Sequence, residues 1–356
     1  MKEKEQLNCQ QTFIEKNELA KQLSRSMESD CLSTLPKEEK IKGKGDALEE
    51  PFHIVCIGGA NVDRKAKARL AIQLGTSNPV SVTQTAGGVA RNIAENLGRL
   101  GQLVSLVTVV GDDQEGDWLL PVTSTYVDIT QAAKLRDTRT GTYTAVLDEQ
   151  GEMVIALADM EIYDHVTLDF LEKRWPRLAS ASAILLDTNF PVEMLAFVIE
   201  RCREEDVPLC VTPVSAPKVN KLPRDLRGVT WLIANEDEAL ALAGRNERNV
   251  AAACTDILFF GVEHVIVTRG GQGVIYKTRG GDHGMIPSPN IHVTDVTGAG
   301  DAFVSGFLYG MNQGASFIKS CRLGMSASII TLQTEETVCS HLDESSLQQA
   351  YQQYFS

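Results

Sequence analysis

The sequence predicts an α/β fold with a mostly parallel central sheet and a small second sheet. Apolar runs typical of buried strands recur from residue 52 onwards, and each ends in a polar or glycine-rich segment: 53–61, 104–113, 183–189, 209–215, 230–236 and 264–271. Between them lie stretches with apolar residues at helical spacing: 89–101, 192–205 and 236–244. Such alternation is typical of a parallel sheet with helices on both faces. Ligands bind these sheets at the carboxyl ends of the strands.

One region breaks this alternation and predicts the second sheet. Residues 140–157, "TGTYTAVLDEQGEMVIAL", contain two alternating runs joined by a turn, which indicates a hairpin. Residues 67–88 are candidates for further strands. We expect a small β-sheet lid built from about 64–86 and 138–160.

Composition limits the classes of function. The chain has 356 residues, of which 43% are hydrophobic, and a formal net charge of −13, which argues against a general nucleic-acid or membrane surface. The eight cysteines include no CxxC pair, and several stand in apolar runs, which is typical of buried free thiols in a reducing compartment. There is no apolar run of transmembrane length, and the first residues lack the apolar core of a secretion signal. These features predict a cytoplasmic protein.

Residues 1–50 differ from the rest of the chain. They are rich in Lys, Glu, Gln and Ser, and only 13–23 has the spacing of a short amphipathic helix. The sequence therefore predicts an N-terminal extension over 1–50, followed by one large domain over 51–356.

The segment "TDVTGAGDAF", 294–303, is the first candidate for chemistry. Gly298, Ala299 and Gly300 stand before Asp301 and a helical pattern. Exposed backbone N–H groups at a helix start form a site for an anion, usually phosphate. A phosphate would repel a carboxylate beside such a site. The best explanation for Asp301 is therefore that it takes a proton from a hydroxyl that attacks the phosphate. The alternative is a tight turn with a helix N-cap.

Two further segments are candidates for nucleotide binding. "VTRGGQGV", 267–274, follows a strand and offers Thr268, Gly270 and Gly273; the alternative is a simple β-turn. "NEDE" opens a helix, where Asn235 is a natural N-cap. In the functional interpretation, Asn235 and Glu238 belong to a Mg²⁺–phosphate environment and act through water, because Mg²⁺ keeps several of its waters.

Polar residues after the first strand are candidates for substrate binding. In "GGANVD", Asn61 and Asp63 offer an amide and a carboxylate to adjacent sugar hydroxyls; the alternative is an Asx-turn. In "AGGVARN", Gly87 and Gly88 allow a ligand to approach the backbone, and Asn92 lies one turn into the next helix. The alternative there is a strand-to-helix turn.

These motifs, in this order, resemble the ribokinase-like (PfkB) carbohydrate kinases over roughly 52–345. The segments that carry the resemblance are "GGANVD", "AGGVARNIAENLGRLG", "VVGDDQEG", "NEDE", "VTRGGQGV" and "DVTGAGDAF". The resemblance implies a three-layer α/β/α fold with a β-sheet lid, ATP and Mg²⁺ as the phosphate donor and its metal, and a homodimer formed through the lid.

The resemblance also implies roles for individual residues. Asp301 would be the general base, and the amides of 298–300 would stabilise charge on the transferred phosphoryl group. The remaining implied roles are ribose binding by Asn61, Asp63, Gly87, Gly88 and Asn92, ATP binding by Thr268, Gly270 and Gly273, and a K⁺ or other monovalent-cation site at Asp295 and Thr297.

Within this family, the chain is similar to the branch of bacterial pseudouridine kinases. "SNP" at 77–79 and "PVSAPK" at 213–218 contribute to that similarity. It implies phosphorylation of the 5′-hydroxyl of pseudouridine. A kinase for another nucleoside or sugar is the first alternative. The second is a DNA-binding regulator that uses the kinase fold as a ligand sensor, with 1–50 as a shortened winged helix. The mixed charges of 1–50 give no basic recognition face, so nucleic acid is not an expected partner.

Overall fold

The strands of this computed structural model form three sheets. The structure describes residues 53–245 and 248–356, so the expected N-terminal extension over 1–50 lies outside the described residues. The strands in these ranges are β1 (His53–Ile57), β2 (Asn61–Ala68), β3 (Val80–Gly87), β4 (Leu103–Val107), β5 (Val109–Gly111), β6 (Ala133–Leu135), β7 (Thr142–Leu147), β8 (Met153–Asp159), β9 (Ala183–Asp187), β10 (Leu209–Thr212), β11 (Trp231–Asn235), β12 (His264–Thr268), β13 (Val274–Thr278) and β14 (His283–Ile286).

Ten α-helices are present in the same ranges. They are α1 (Val89–Arg99), α2 (Gln114–Thr123), α3 (Leu168–Glu172), α4 (Trp175–Leu178), α5 (Val192–Glu205), α6 (Glu236–Leu242), α7 (Val250–Phe259), α8 (Ala299–Asn312), α9 (Phe317–Leu332) and α10 (Glu344–Phe355). Short 3₁₀ helices cover Glu161–His165, Ala216–Lys221 and Gly270–Gln272. In the part of the chain that the structure describes, every helix is too short or too polar to cross a bilayer.

The main sheet has eight strands in the order β14-β13-β12-β11-β10-β9-β1-β4. All neighbours from β4 to β12 are parallel, and only β13 and β14 at one edge are antiparallel. This arrangement confirms the predicted mostly parallel sheet.

Helices cover both faces of this sheet. Strand side chains alternate between faces, so Ile54 and Cys56 of β1 join one buried core while Val55 and Ile57 join the other. Helices α1, α8 and α9 pack on the first face, and α5 and α7 pack on the second. The result is the expected three-layer α/β/α fold, and burial on both faces explains why the strands are continuously apolar.

The second sheet has four strands in the order β3-β2-β7-β8. β2 pairs antiparallel with β3 and parallel with β7, and β7 and β8 form the antiparallel hairpin expected in 140–157. We call these four strands the lid sheet. Only three residues separate the end of β1 from the start of β2, so the lid sheet starts directly at the carboxyl edge of the main sheet.

One predicted strand is wrong. The run 104–113 forms two strands, because the backbone changes partners at Thr108. The carbonyl oxygen of Thr108 accepts a 3.0 Å hydrogen bond from Ala133 N. The next strand, β5, pairs in parallel with β6 and is not part of the main sheet. Continuous apolar character did not reveal this change, because Val107, Val109 and Val110 are buried on either side of it.

Candidate active site

The candidate base, Asp301, lies in the first turn of α8 and is half-buried. Asn92, near the start of α1, donates a 2.9 Å hydrogen bond from Nδ2 to Asp301 Oδ2. Ser305, one turn further along α8, donates to the Asp301 carbonyl at 2.7 Å and to Ile93 O at 3.3 Å. Two helix starts that are far apart in sequence are thus fixed against each other with the carboxylate between them.

The surroundings of Asp301 raise its pKa to about 7. Burial is the main cause, and the negative charges of Asp187, Asp63 and Glu238 add to it, while the hydrogen bond from Asn92 lowers the pKa. A carboxyl group with a pKa near neutrality is well suited to accept a proton under cellular conditions.

The glycines of the loop before α8 have different surroundings. Gly298 has φ of 80°, and a Cβ at this position would lie 1.9 Å from the carbonyl oxygen of Thr337. A Cβ on Gly300 would meet no atom within 4 Å. The backbone at 300 therefore borders open space at a helix N-terminus, where the dipole favours an anion. The N–H of Ala299 makes a long 3.3 Å bond to Val296 O, for which an incoming anion would compete.

The candidate substrate residues lie on β2 and around the start of α1. Asn61 Nδ2 donates to Asp63 Oδ1 at 2.5 Å. Asn61 pairs with Gly87 across the two strands, and a Cβ on Gly87 would lie 2.3 Å from Asp63 Oδ2. Gly88 has φ of 101°, and a Cβ there would lie 2.4 Å from Gly59 O. Gly88 is therefore required by a close approach of two backbone segments, and Gly87 by the position of the Asp63 carboxylate.

Burial also affects the Asp63 carboxylate. It raises the pKa of Asp63 to about 6, against the lowering effects of the Asn61 hydrogen bond and of the positive charges on Arg91 and Lys65. Asp63 and Asp301 are therefore two carboxyl groups with raised pKa values at the same edge of the main sheet.

Asp187, the last residue of β9, was missed by the sequence analysis. Its buried carboxylate accepts four hydrogen bonds: from Gly59 N at 2.8 Å, Ala90 N at 3.1 Å, Asn189 N at 2.8 Å and Asn189 Nδ2 at 2.9 Å. It thus joins the loop after β1 to the start of α1. An acid that ends an apolar strand was the available signal.

A lysine in "PVSAPK" also reaches this edge. Lys218 Nζ donates to Asn189 Oδ1 at 2.6 Å, and Lys221 Nζ donates to Asn189 O at 3.0 Å. Burial lowers the pKa of Lys218, opposed by the negative charge of Asp187. Sequence reasoning used this segment only for its resemblance and assigned no role to the lysine.

A cavity of about 500 Å³ borders the start of α8. It brings together the predicted nucleotide residues Thr268, Gly270 and Gly273 with Ala299 and Gly300 of the anion site. Its remaining lining includes apolar side chains of α8 and α9, among them Phe303, Met325 and Ile329. The volume is that of an ordinary small-molecule site.

Asn235 and Glu238 form the helix cap that the alternative interpretation predicted. Asn235 Oδ1 accepts from Glu238 N at 2.9 Å, and Glu238 Oε2 accepts from Asn235 N at 3.0 Å. Burial raises the pKa of Glu238 to about 7. Within 53–245 and 248–356, no group of three or more His, Cys, Asp or Glu side chains forms a metal site. A Mg²⁺ ion held mainly by nucleotide phosphates and its own waters would not need such a group.

The side chains expected at a monovalent-cation site are already engaged. Asp295 Oδ1 accepts from Thr297 N at 2.9 Å and from Thr297 Oγ1 at 2.7 Å, and Asp295 Oδ2 accepts from Lys65 Nζ at 2.9 Å. Both carboxylate oxygens thus face hydrogen-bond donors. This pair of side chains does not fit a cation such as K⁺ while Lys65 is in place.

Comparison with known proteins identifies the family of the chain. Residues 52–343 match the pfkB family carbohydrate kinases. The chain belongs to this family. It is therefore a kinase that phosphorylates a hydroxyl group of a sugar or nucleoside.

Individual relatives extend over most of the chain. A pseudouridine kinase from Escherichia coli K12 is 33% identical over 298 residues, which cover 82% of this chain and 93% of that protein. The solved structure of a carbohydrate kinase from Agrobacterium tumefaciens is 30% identical, with a TM-score of 0.72 over 84% of this chain and 96% of that one. A structure of Arabidopsis thaliana ribokinase complexed with ribose and ATP has the same TM-score at 22% identity, covers 84% of this chain and 98% of that one, and supports the fold.

Proposed function

We propose that this kinase transfers the γ-phosphoryl group of ATP to the 5′-hydroxyl of pseudouridine. The observation that carries the proposal is the position of Asp301, which lies in the same helix turn as the anion site and accepts a hydrogen bond from the candidate ribose residue Asn92. The similarity to a pseudouridine kinase over 82% of the chain supports the choice of nucleoside.

In the proposed reaction, Asp301 takes the proton of the 5′-hydroxyl. The alcohol oxygen forms a bond to the γ-phosphorus while the bond to the bridging oxygen breaks, and ADP leaves with the bonding electrons. The proton remains on the Asp301 carboxyl group. A pKa of about 7 lets this group accept the proton and later release it to water.

The backbone at 298–300 would stabilise the charge that develops on the transferred group. These N–H groups are fixed by the loop and the helix, so they need not reorganise during the reaction. Removal of one donor of this kind typically costs about 3 kcal/mol of barrier. Mg²⁺ would arrive with the nucleotide and neutralise phosphate charge, and Glu238 would orient its water shell.

The lid sheet and the loop between β1 and β2 would hold the ribose. Asp63 accepts hydrogen bonds from hydroxyl groups, whereas the amide of Asn61 both donates and accepts. Asp63 and Asn61 are already bonded to each other, so their positions are set before the substrate arrives. Gly87 and Gly88 keep side chains out of the space beside them.

A kinase for another nucleoside or sugar is favoured by one specific observation. Asn61, Asp63 and Asn92 recognise hydroxyl groups, which ribose, uridine and pseudouridine share. These contacts do not discriminate among bases.

The test is ATP-dependent phosphorylation by the wild-type protein of pseudouridine, uridine, ribose and fructose 6-phosphate. The proposal expects the highest kcat/KM for pseudouridine, by at least about tenfold over uridine, which corresponds to about 1.4 kcal/mol of discrimination. Turnover of another substrate with none of pseudouridine would replace the proposed substrate while keeping the kinase.

A further inference from the structure

Lys65 lies on the lid sheet but contacts the loop that precedes the anion site. Its Nζ is 2.9 Å from Asp295 Oδ2, and the two residues are 230 positions apart in sequence. The side chains are partly exposed, at 39% for Lys65 and 26% for Asp295. This ion pair therefore connects the lid sheet to the segment that leads into α8.

Lys65 also shares a face of β2 with the candidate substrate residues. Successive side chains of a strand point to opposite sides, so Asn61, Asp63 and Lys65 lie on one side of the lid sheet. The charge of Lys65 is close enough to Asp63 to oppose the rise in its pKa. Lys65 thus extends the row of substrate residues towards the anion site.

The partner of Lys65 holds the loop through its other oxygen. Asp295 Oδ1 accepts from both the backbone and the hydroxyl of Thr297, which immediately precedes Gly298. Partial burial raises the pKa of Asp295, but the bonds from Thr297 and Lys65 outweigh it and hold the pKa at about 2. The Asp295 carboxylate is therefore ionised at neutral pH, where the positive charge of Lys65 stabilises it.

We propose that Lys65 is a positioning residue for phosphoryl transfer, and that its ammonium group takes the place of a monovalent cation at Asp295. Through Asp295 and Thr297 it fixes the backbone at 298–300, so phosphoryl transfer by this chain does not require K⁺. The inference rests on the proposed kinase function but not on pseudouridine as the substrate.

The effects of losing Lys65 on stability and on rate distinguish a positioning role from a purely structural one. An ion pair with this exposure contributes little to stability, so its loss leaves the protein folded. Misplacement of reacting groups by about 1 Å can, however, cost on the order of 10²-fold in rate. Loss of Lys65 should therefore affect kcat far more than the unfolding midpoint.

The preceding residue in β2, Arg64, supplies a matched control. Arg64 points to the opposite side of the strand and forms an ion pair with Glu115 of α2 at 2.8 Å, with side chains 30% and 33% exposed. This pair also joins the lid sheet to the rest of the domain, but it does not contact the loop before α8.

The experiment compares wild type, Lys65→Met and Arg64→Met in tetramethylammonium chloride and in KCl at equal ionic strength. The substrate is the compound that the wild type phosphorylates best. We expect equal wild-type kcat in both salts. Lys65→Met should lose about 10- to 100-fold in kcat in tetramethylammonium and recover part of it in KCl. Arg64→Met should keep its kcat in both salts.

Thermal unfolding in the same two salts gives a readout that needs no turnover. A cation that binds only the folded protein raises its midpoint. We expect no specific K⁺ effect on wild type and a K⁺-dependent increase for Lys65→Met. A wild type that requires or binds K⁺, or a Lys65→Met variant equal to wild type, would overturn the proposal. Absence of turnover with K⁺-independent unfolding would instead count against the proposed function.

Discussion

At the scale of single residues, the proposed roles of Asp301 and Asn92 predict how the reaction depends on pH. The Asp301 pKa of about 7 is raised by burial and lowered by Asn92. Only the ionised carboxylate accepts a proton, so kcat/KM should rise with pH and level off above about 7. Replacement of Asn92 by Ala removes a hydrogen bond that favours the ionised form, so the pKa should increase and the profile should move to higher pH. The measurement is the pH dependence of kcat/KM.

Ser305→Ala is the control for this shift. Ser305 bonds the carbonyl of Asp301 and not its carboxylate. Its loss should leave the midpoint of the profile unchanged, even if the rate falls. A profile of Asn92→Ala with the wild-type midpoint would show that the amide does not tune the base.

The sequence singled out some residues of the candidate site and not others, because only some of them owe their position to local conformation. Glycines that need positive φ or close backbone contact, such as Gly88 and Gly298, stand out because few other residues can replace them. Asp187 ends an apolar strand as a single acid, and its importance comes from backbone donors at Gly59 and Ala90, about 100 positions away or more. Such a partner set exists only after folding.

At the scale of elements, the start of α8 depends on two glycines in different ways. Gly298 combines φ of 80° with a Cβ position 1.9 Å from Thr337 O, whereas Gly300 faces open space. Gly298→Ala should destabilise the protein by about 1–3 kcal/mol or more. Gly300→Ala should leave stability within about 0.5 kcal/mol of wild type, while its methyl group obstructs phosphate and raises the KM for ATP. Urea unfolding and steady-state kinetics measure the two effects.

Gly314 separates backbone strain from steric conflict in this test. It has φ of 67°, and a Cβ there would meet no atom within 4 Å. Gly314→Ala should therefore cost about 1 kcal/mol from strain alone, less than Gly298→Ala. Equal losses for the two variants would remove the argument from contact with Thr337.

The division of 104–113 into two strands was not predictable from the hydrophobic pattern of the sequence. Both of its parts are buried and contain apolar side chains, among them Val107, Val109 and Val110. Its division is set by β6, a three-residue strand with no strong pattern of its own. The long strands and helices, by contrast, were predictable because each presents a full apolar face.

At the scale of the whole molecule, we predict a homodimer from the exposed edge of the lid sheet. All residues of its edge strand β8 are exposed, and they include Met153, Ile155 and Leu157. Exposed apolar surface on an edge strand is a pairing site for another chain. We expect the wild type to sediment as a dimer and Ile155→Lys to sediment as a monomer.

Phe259→Lys is the control for the dimer prediction. Phe259 is an exposed apolar residue at the end of α7, outside the lid sheet. This variant should remain dimeric. A monomeric wild type at micromolar concentration would contradict the prediction.

The proposed role of Asp301 is that of the base for phosphorylation of the pseudouridine 5′-hydroxyl. The most direct measurement is ATP-dependent phosphorylation of pseudouridine, with uridine alongside, by wild type and by Asp301→Asn, with the position of the new phosphate determined. We predict pseudouridine 5′-phosphate as the wild-type product, preference over uridine, and a loss of about 10²- to 10⁴-fold in the variant. Full activity in Asp301→Asn, or a wild type inactive on both nucleosides, would contradict it.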